Sequence, residues 1–169
     1  KDIILLTGDL GFGVLNNYSK KFPSQYINVG VAEQNMTGIA SGLGIDGKTV
    51  FTYSIGNFNT LRCLEQIRND ACYHNANVNI VSIGGGFSYG ALGYSHHATE
   101  DIAIMRAIPN LRVFVPCDFW EVQEITRSVV ELGGVNYIRI DKSSAERNTK
   151  LENKYVVGKA RILAQGSDL

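Results

Sequence analysis

"YINVGVAEQNMTGIASGLGIDGKTVFTYS", residues 26–54, decides how this chain folds. Two β-rich runs, YINVG (26–30) and TVFTY (49–53), bracket a stretch in which Met36, Ile39, Ala40 and Leu43 recur at helical spacing. A strand, a helix and a strand in so short a span form a crossover unit, in which the second strand lies parallel to the first.

The same alternation runs outward in both directions. Further strand signals are IILLT (3–7), VNIVSIG (78–84), LRVFVP (111–116) and NYIRI (136–140). Helical spacing recurs at Phe58, Leu61, Leu64, Ile67 and Ala71, and again at Phe119, Val122, Ile125, Val129 and Leu132. Several of the strands are apolar without clean alternation, as expected when both faces are covered. The pattern predicts an α/β fold: a doubly wound, mostly parallel sheet flanked by helices. Asp118, with Glu121 three residues on, predicts a capping box at the head of the last helix, and Gly133-Gly134 predicts its end.

With 169 residues, 44% of them hydrophobic, the chain has enough material for one domain with a core. Sixteen basic and sixteen acidic residues cancel, and neither sign forms a block, so nucleic acid and membrane surfaces are not expected partners. Three cysteines without CxxC spacing argue against a disulfide framework or a zinc site, and a cytoplasmic setting is expected. No apolar run approaches the roughly 20 residues that span a bilayer. After the sixth strand the polar stretch 142–154 reads as a linker between a domain over 1–141 and a short apolar tail over 155–169. The chain opens on Lys and stops on AQGSDL, which suggests a piece of something longer.

In open α/β sheets, ligands collect beyond the carboxyl ends of the strands. Those ends carry Gly8-Asp9, Val31 to Glu33, Ser54 to Phe58, Gly84 to His97 and Pro116 to Asp118. Glu33 is the only charged residue between Lys21 and Asp46, at the start of an otherwise apolar helix. An acid there is either an ordinary partner of the helix dipole or a site carboxylate. Phe58 reads equally as core. His96-His97 reads as a polar loop, with no neighbouring Cys or His to make a metal site. SIGGGFSYG could cradle a phosphate, but it fits neither GxGxxG nor the Walker pattern.

Three segments in order, VGVAEQNMTGIASGLGIDG, FNTLRCLEQIRND and SHHATEDIAIMRAIPNLRVFVPCDFWEV, together resemble the pyrimidine-binding domain of the transketolase family, which includes 1-deoxyxylulose-5-phosphate synthase. The resemblance runs from about residue 3 to residue 140, and the run 155–169 resembles the start of the family's C-terminal domain, cut short. It implies a flavodoxin-like three-layer sandwich and thiamine diphosphate as cofactor. Glu33 falls where the family's glutamate hydrogen-bonds N1' of the aminopyrimidine and so promotes loss of the thiazolium C2 proton. That chemistry needs a carboxyl group sheltered from water. Phe58 falls at the pyrimidine-stacking position, and Ile55 and Leu61 at pocket positions that are often aromatic. His96 aligns with the substrate-facing histidine, with His97 in support, and Asp9 with an acid near the dimer interface and the cofactor.

Departures from the family pattern bear on substrate and partner. Leu92 stands where an aspartate recognises a sugar hydroxyl, and the family's two phosphate contacts fall near Gly84 and Asp141. The substrate is therefore expected to be an unphosphorylated or altered sugar, or a small 2-oxo acid. TGDLG, with Asn16 and Asn17, has the wrong spacing for the family's GDG and Asn diphosphate motif. By the resemblance, a separate diphosphate-binding subunit or domain would then hold the diphosphate and its Mg2+ or Ca2+, in a homodimer or heterotetramer. The expected reaction is transfer of a two-carbon ketol unit between sugars. The alternatives are a 2-oxo acid decarboxylase or acyloin-forming subunit, and a non-catalytic assembly or phosphate-binding module.

Overall fold

A computed structural model describes residues 2–142, 155–162 and 165–166 of the chain. Its strands are β1 (Ile3–Thr7), β2 (Tyr26–Asn28), β3 (Thr49–Ile55), β4 (Val78–Ile83), β5 (Leu111–Phe114) and β6 (Val135–Ile140). They form one sheet in the order β2-β1-β3-β4-β6-β5. Each of the five pairings is parallel, so the sheet is wholly rather than mostly parallel. All six expected strands are present, with ends displaced by two residues at most.

Alternation along the strands divides the core between the two faces of the sheet. Val50, Ile80 and Tyr137 point to one face, where they pack with Met36 and Ala40 of α2 (Glu33–Ile45), with Ile67, Ala71 and Cys72, and with Met105 of α4 (Asp101–Ala107). Their neighbours Phe51, Val81 and Ile138 point to the other face, against Ile125 and Val129 of α5 (Phe119–Leu132). Tyr155 and Val157 from the tail join this second cluster, and the Tyr155 ring meets Trp120 edge-on at 6.2 Å. The linker expected over 142–154 lies, past Lys142, outside the described residues.

Three helical features depart from the expected pattern. α1 (Asn16–Lys21, NNYSKK) buries none of its residues and so has no apolar stripe to announce it. α4 holds Ile102, Ala103, Ile104 and Met105 in one unbroken run, which hides its period. The helix expected from Phe58 onward begins later, because residues 56–60 form turns. A 3-10 turn over Leu61–Cys63 and α3 (Leu64–Gln66) then lead into a π-helical stretch over Ile67–Cys72. In that wider spiral residues five apart align, so Ile67 and Cys72 are buried together.

At the head of α5, Glu121 N–H donates to Asp118 Oδ1 at 2.8 Å, as a cap should. The return contact is displaced by one residue: Glu121 Oε2 accepts from the backbone N–H of Cys117, at 2.8 Å. Gly133, with φ +63°, ends the helix in the left-handed region that suits glycine.

Candidate functional site

The first residue of α2 is Glu33, set just beyond the carboxyl ends of β1 and β3 and only 2% exposed. A charge so deeply placed requires partners. Arg62 Nη1 donates to Glu33 Oε2 at 2.8 Å, and the Ser54 hydroxyl donates to Oε1 at 3.2 Å. The first N–H groups of α2 add the positive end of the helix dipole. Gly8, just after β1, backs the carboxyl closely: a methyl group there would lie 3.3 Å from Glu33 Cγ.

Contacts continue outward from the guanidinium. Arg62 Cζ lies 4.3 Å over the Phe58 ring, and Phe58 meets the His96 ring edge-on at 4.9 Å. A buried carboxylate, a guanidinium, a benzene ring and an imidazole thus stand in series. The His96 end is held through Ser95: Asn57 Nδ2 donates to Ser95 O at 2.7 Å, and Ser95 Oγ lies 3.0 Å from His96 Nδ1.

The loop that carries His96 rests on a second polar cluster. Gly86 and Ala98 pair as an antiparallel bridge, with N–O distances of 2.7 and 2.9 Å. Beneath it Arg139 Nη2 donates to Ala98 O at 3.3 Å, and Arg139 Nε lies 2.9 Å from Asp101 Oδ2. The Tyr137 hydroxyl donates to the same oxygen at 2.6 Å; burial, then the charge of Asp101, pushes that phenol far above its ordinary titration range.

The sequence profile of the transketolase pyrimidine-binding domain matches residues 1–147. The chain belongs to the transketolase family. It is 40% identical, over its full length, to a putative transketolase C-terminal section of Methanocaldococcus jannaschii, of which it covers 54%. Against an apulose-4-phosphate transketolase subunit of Phocaeicola vulgatus it is 35% identical over its full length and covers 55% of that protein. A solved split-gene transketolase, described as an inactive β4 tetramer, superposes with a TM-score of 0.81 at 34% identity, covering 94% of this chain and 51% of that one. The chain therefore spans about half the length of the curated relatives it matches.

Within this transketolase-family domain, Glu33, Phe58 and His96 come together, joined by an arginine that no sequence signal singles out. Arg62 reads as an ordinary surface charge because its partner lies 29 residues away. Ile55 closes β3 and is buried, whereas Leu61 opens the 3-10 turn and is 40% exposed. His97 turns from Phe58 to its own loop, where it meets Phe87 edge-on at 5.1 Å and places Nε2 3.2 Å from Gly90 O. Asp9 is held at the sheet edge by reciprocal bonds with Asn28, of 2.9 and 3.0 Å. Leu92 is exposed on a 3-10 turn, and the Lys142 ammonium, beside Asp141, lies 4.5 Å over the Tyr89 ring. Among the described residues no group of three or more His, Cys, Asp or Glu side chains is placed to hold a metal ion. No helix among them is long and apolar enough to cross a membrane.

Proposed function

We propose that this domain supplies the pyrimidine half of a thiamine-diphosphate site in an enzyme that transfers a two-carbon ketol unit between sugars. The observation that carries the reading is the lone acid Glu33, buried at the carboxyl end of the sheet and linked through Arg62 and Phe58 to His96. A planar heteroaromatic ring with a basic nitrogen matches that set: a carboxylate for the nitrogen and an aromatic face for the ring. Thiamine diphosphate, when bound, supplies a carbon nucleophile for a ketose carbonyl.

In this reading Glu33 holds N1' of the pyrimidine and its proton, and Phe58 stacks on the ring. Ile55 and Leu61 fill the remaining pocket, which is then more aliphatic than aromatic. Asp9 stands at the cofactor's side of the subunit contact. His96 meets the substrate and exchanges a proton with it, and His97 supports the loop. The diphosphate and its Mg2+ or Ca2+ fall to a partner subunit or domain. Relatives described as a transketolase subunit and as a C-terminal section, each about twice the length of this chain, support a divided enzyme.

A 2-oxo acid decarboxylase or acyloin-forming enzyme is the second reading, favoured by the apolar Leu92. A panel of ketose and 2-oxo acid donors separates the two. The role of Glu33 is tested in the complex reconstituted with the diphosphate-binding partner. Glu33→Ala should abolish exchange of the cofactor C2 proton with solvent, and normal exchange in that variant overturns the assignment.

A further inference from the structure

The two oxygens of Glu33 are unequally engaged. Oε2 takes a short, charge-assisted bond from Arg62 at 2.8 Å, whereas Oε1 takes only the Ser54 hydroxyl, at 3.2 Å. The second contact is longer than the usual O–H···O distance of about 2.7–2.8 Å, so Oε1 keeps acceptor capacity. The guanidinium is not free to wander, because its Cζ packs 4.3 Å over the Phe58 ring. Its side chain is 43% exposed while that of Glu33 is 1% exposed, so Arg62 stands between the carboxylate and the solvent.

We propose that Arg62 is the positioning residue of this site: it fixes Glu33 through one oxygen and takes up charge that would otherwise fall wholly on the cofactor's pyrimidine. This rests on the reading that Glu33 meets N1'. A protonated pyrimidine and the guanidinium are then two cations sharing one carboxylate, and each weakens the hold of the other. Among the described residues, the other groups facing Glu33 carry no charge at neutral pH. They are Ser54 on β3, Gly8 after β1, Thr37 one turn along α2, whose hydroxyl donates to Glu33 O at 3.0 Å, and the Cys63 thiol, which burial pushes up to about 11. Arg62 thereby limits how far the ring carries a net positive charge at neutral pH.

The test is a pH titration of the bound cofactor's aminopyrimidine, read by its circular-dichroism signal, in the complex reconstituted with the diphosphate-binding subunit and Mg2+. With Arg62→Met, and with the second neutral variant Arg62→Gln, the midpoint of ring protonation should rise by roughly one unit or more. Arg62→Lys, which keeps the charge, should restore most of the wild-type midpoint. A residue that only stabilises the fold would lower the melting temperature and leave the midpoint where it was; that result, or a downward shift, overturns the proposal. So does failure of both neutral variants to assemble while Arg62→Lys assembles. Glu33→Gln keeps the two failures apart. If its titration matches wild type, the pairing of Glu33 with the pyrimidine is wrong; if it is altered while the neutral Arg62 variants are not, only the role of Arg62 is lost.

Discussion

Removing the guanidinium of Arg139 should cost several kcal/mol of stability at the carboxyl end of the sheet, on the order of breaking a buried ion pair. Asp101 is 2% exposed, and its Oδ2 receives both the Arg139 cation at 2.9 Å and the Tyr137 hydroxyl at 2.6 Å. Breaking a buried ion pair from one side leaves the other charge unpaired and costs about 3–5 kcal/mol. The Arg139 side chain is 22% exposed, which places Arg139→Met toward the lower end, at roughly 3 kcal/mol. Tyr137→Phe removes one hydrogen bond to a charged group, worth about 1.5–3 kcal/mol. Because both partners act on one oxygen, the double variant should depart from additivity by about 1 kcal/mol or more. Equilibrium urea unfolding measures all three, and at slopes of about 1–3 kcal/mol/M the Arg139→Met midpoint should fall by roughly 1–3 M. The Gly86 and Ala98 amides, whose bridge rests on this pair, should also exchange with solvent faster. A loss under about 1 kcal/mol for Arg139→Met, or strict additivity, would refute the claim that the network is a coupled unit.

Other consequences are simpler to check. Of the three cysteines only Cys117 is exposed, so a thiol reagent at pH 8 should titrate one group in the native chain and three in urea. Burial pushes Cys63 and Cys72 from 9.0 up to about 11. Their contribution is complete below pH 9 and is lost as the pH rises from 9 to 11, since only the unfolded thiols ionise in that window. The loss is about 2–3 kcal/mol for each, and the double variant Cys63→Ala, Cys72→Ala should unfold with a flatter pH dependence between 9 and 10. Asp118→Ala removes the cap on the Glu121 N–H and should lower stability by about 1 kcal/mol in the same urea assay.

What the sequence discloses follows from what each element needs locally. Strand runs are apolar because the sheet is covered on both faces, so all six are legible. α5 announces itself by a stripe, a cap and a terminal glycine pair. α1 and α4 announce nothing: the first buries no residue, and the second has too few turns for a period to show. At the site, Glu33 is conspicuous because a lone charge interrupts an apolar segment. Its partner Arg62 and the pair of Asp101 with Arg139 each read as an unremarkable surface charge, since pairing across 29 or 38 residues leaves no mark on local composition. His97 illustrates the converse. Adjacency to His96 suggests a shared task, but His96 ends a 3-10 turn and His97 is extended, so the two rings diverge and His97 faces Phe87 instead.

The strand register marks the floor of the site. Leu6, Thr52, Ile80 and Tyr137 are aligned partners across β1, β3, β4 and β6, and they make a largely apolar row on the face that α2 and α4 cover. Two residues further along, on the same face, the aligned partners are Ser54, Ser82 and Arg139, with Gly8 just past the end of β1. The change from large apolar to small or polar side chains in one step opens room above the core. It also places hydrogen-bonding groups at the floor of that room: Ser54 reaches Glu33 and Arg139 reaches Asp101. A buried acid at the head of α2 is tolerated because this row and Arg62 meet it. Shifting β3 by one residue would replace Ser54 with Tyr53 or Ile55, close the space with a large side chain, and leave the Glu33 carboxylate without its hydroxyl partner. The register of the parallel sheet therefore sets the floor of this site, and the turn carrying Phe58 and Arg62 and the loop carrying His96 complete it.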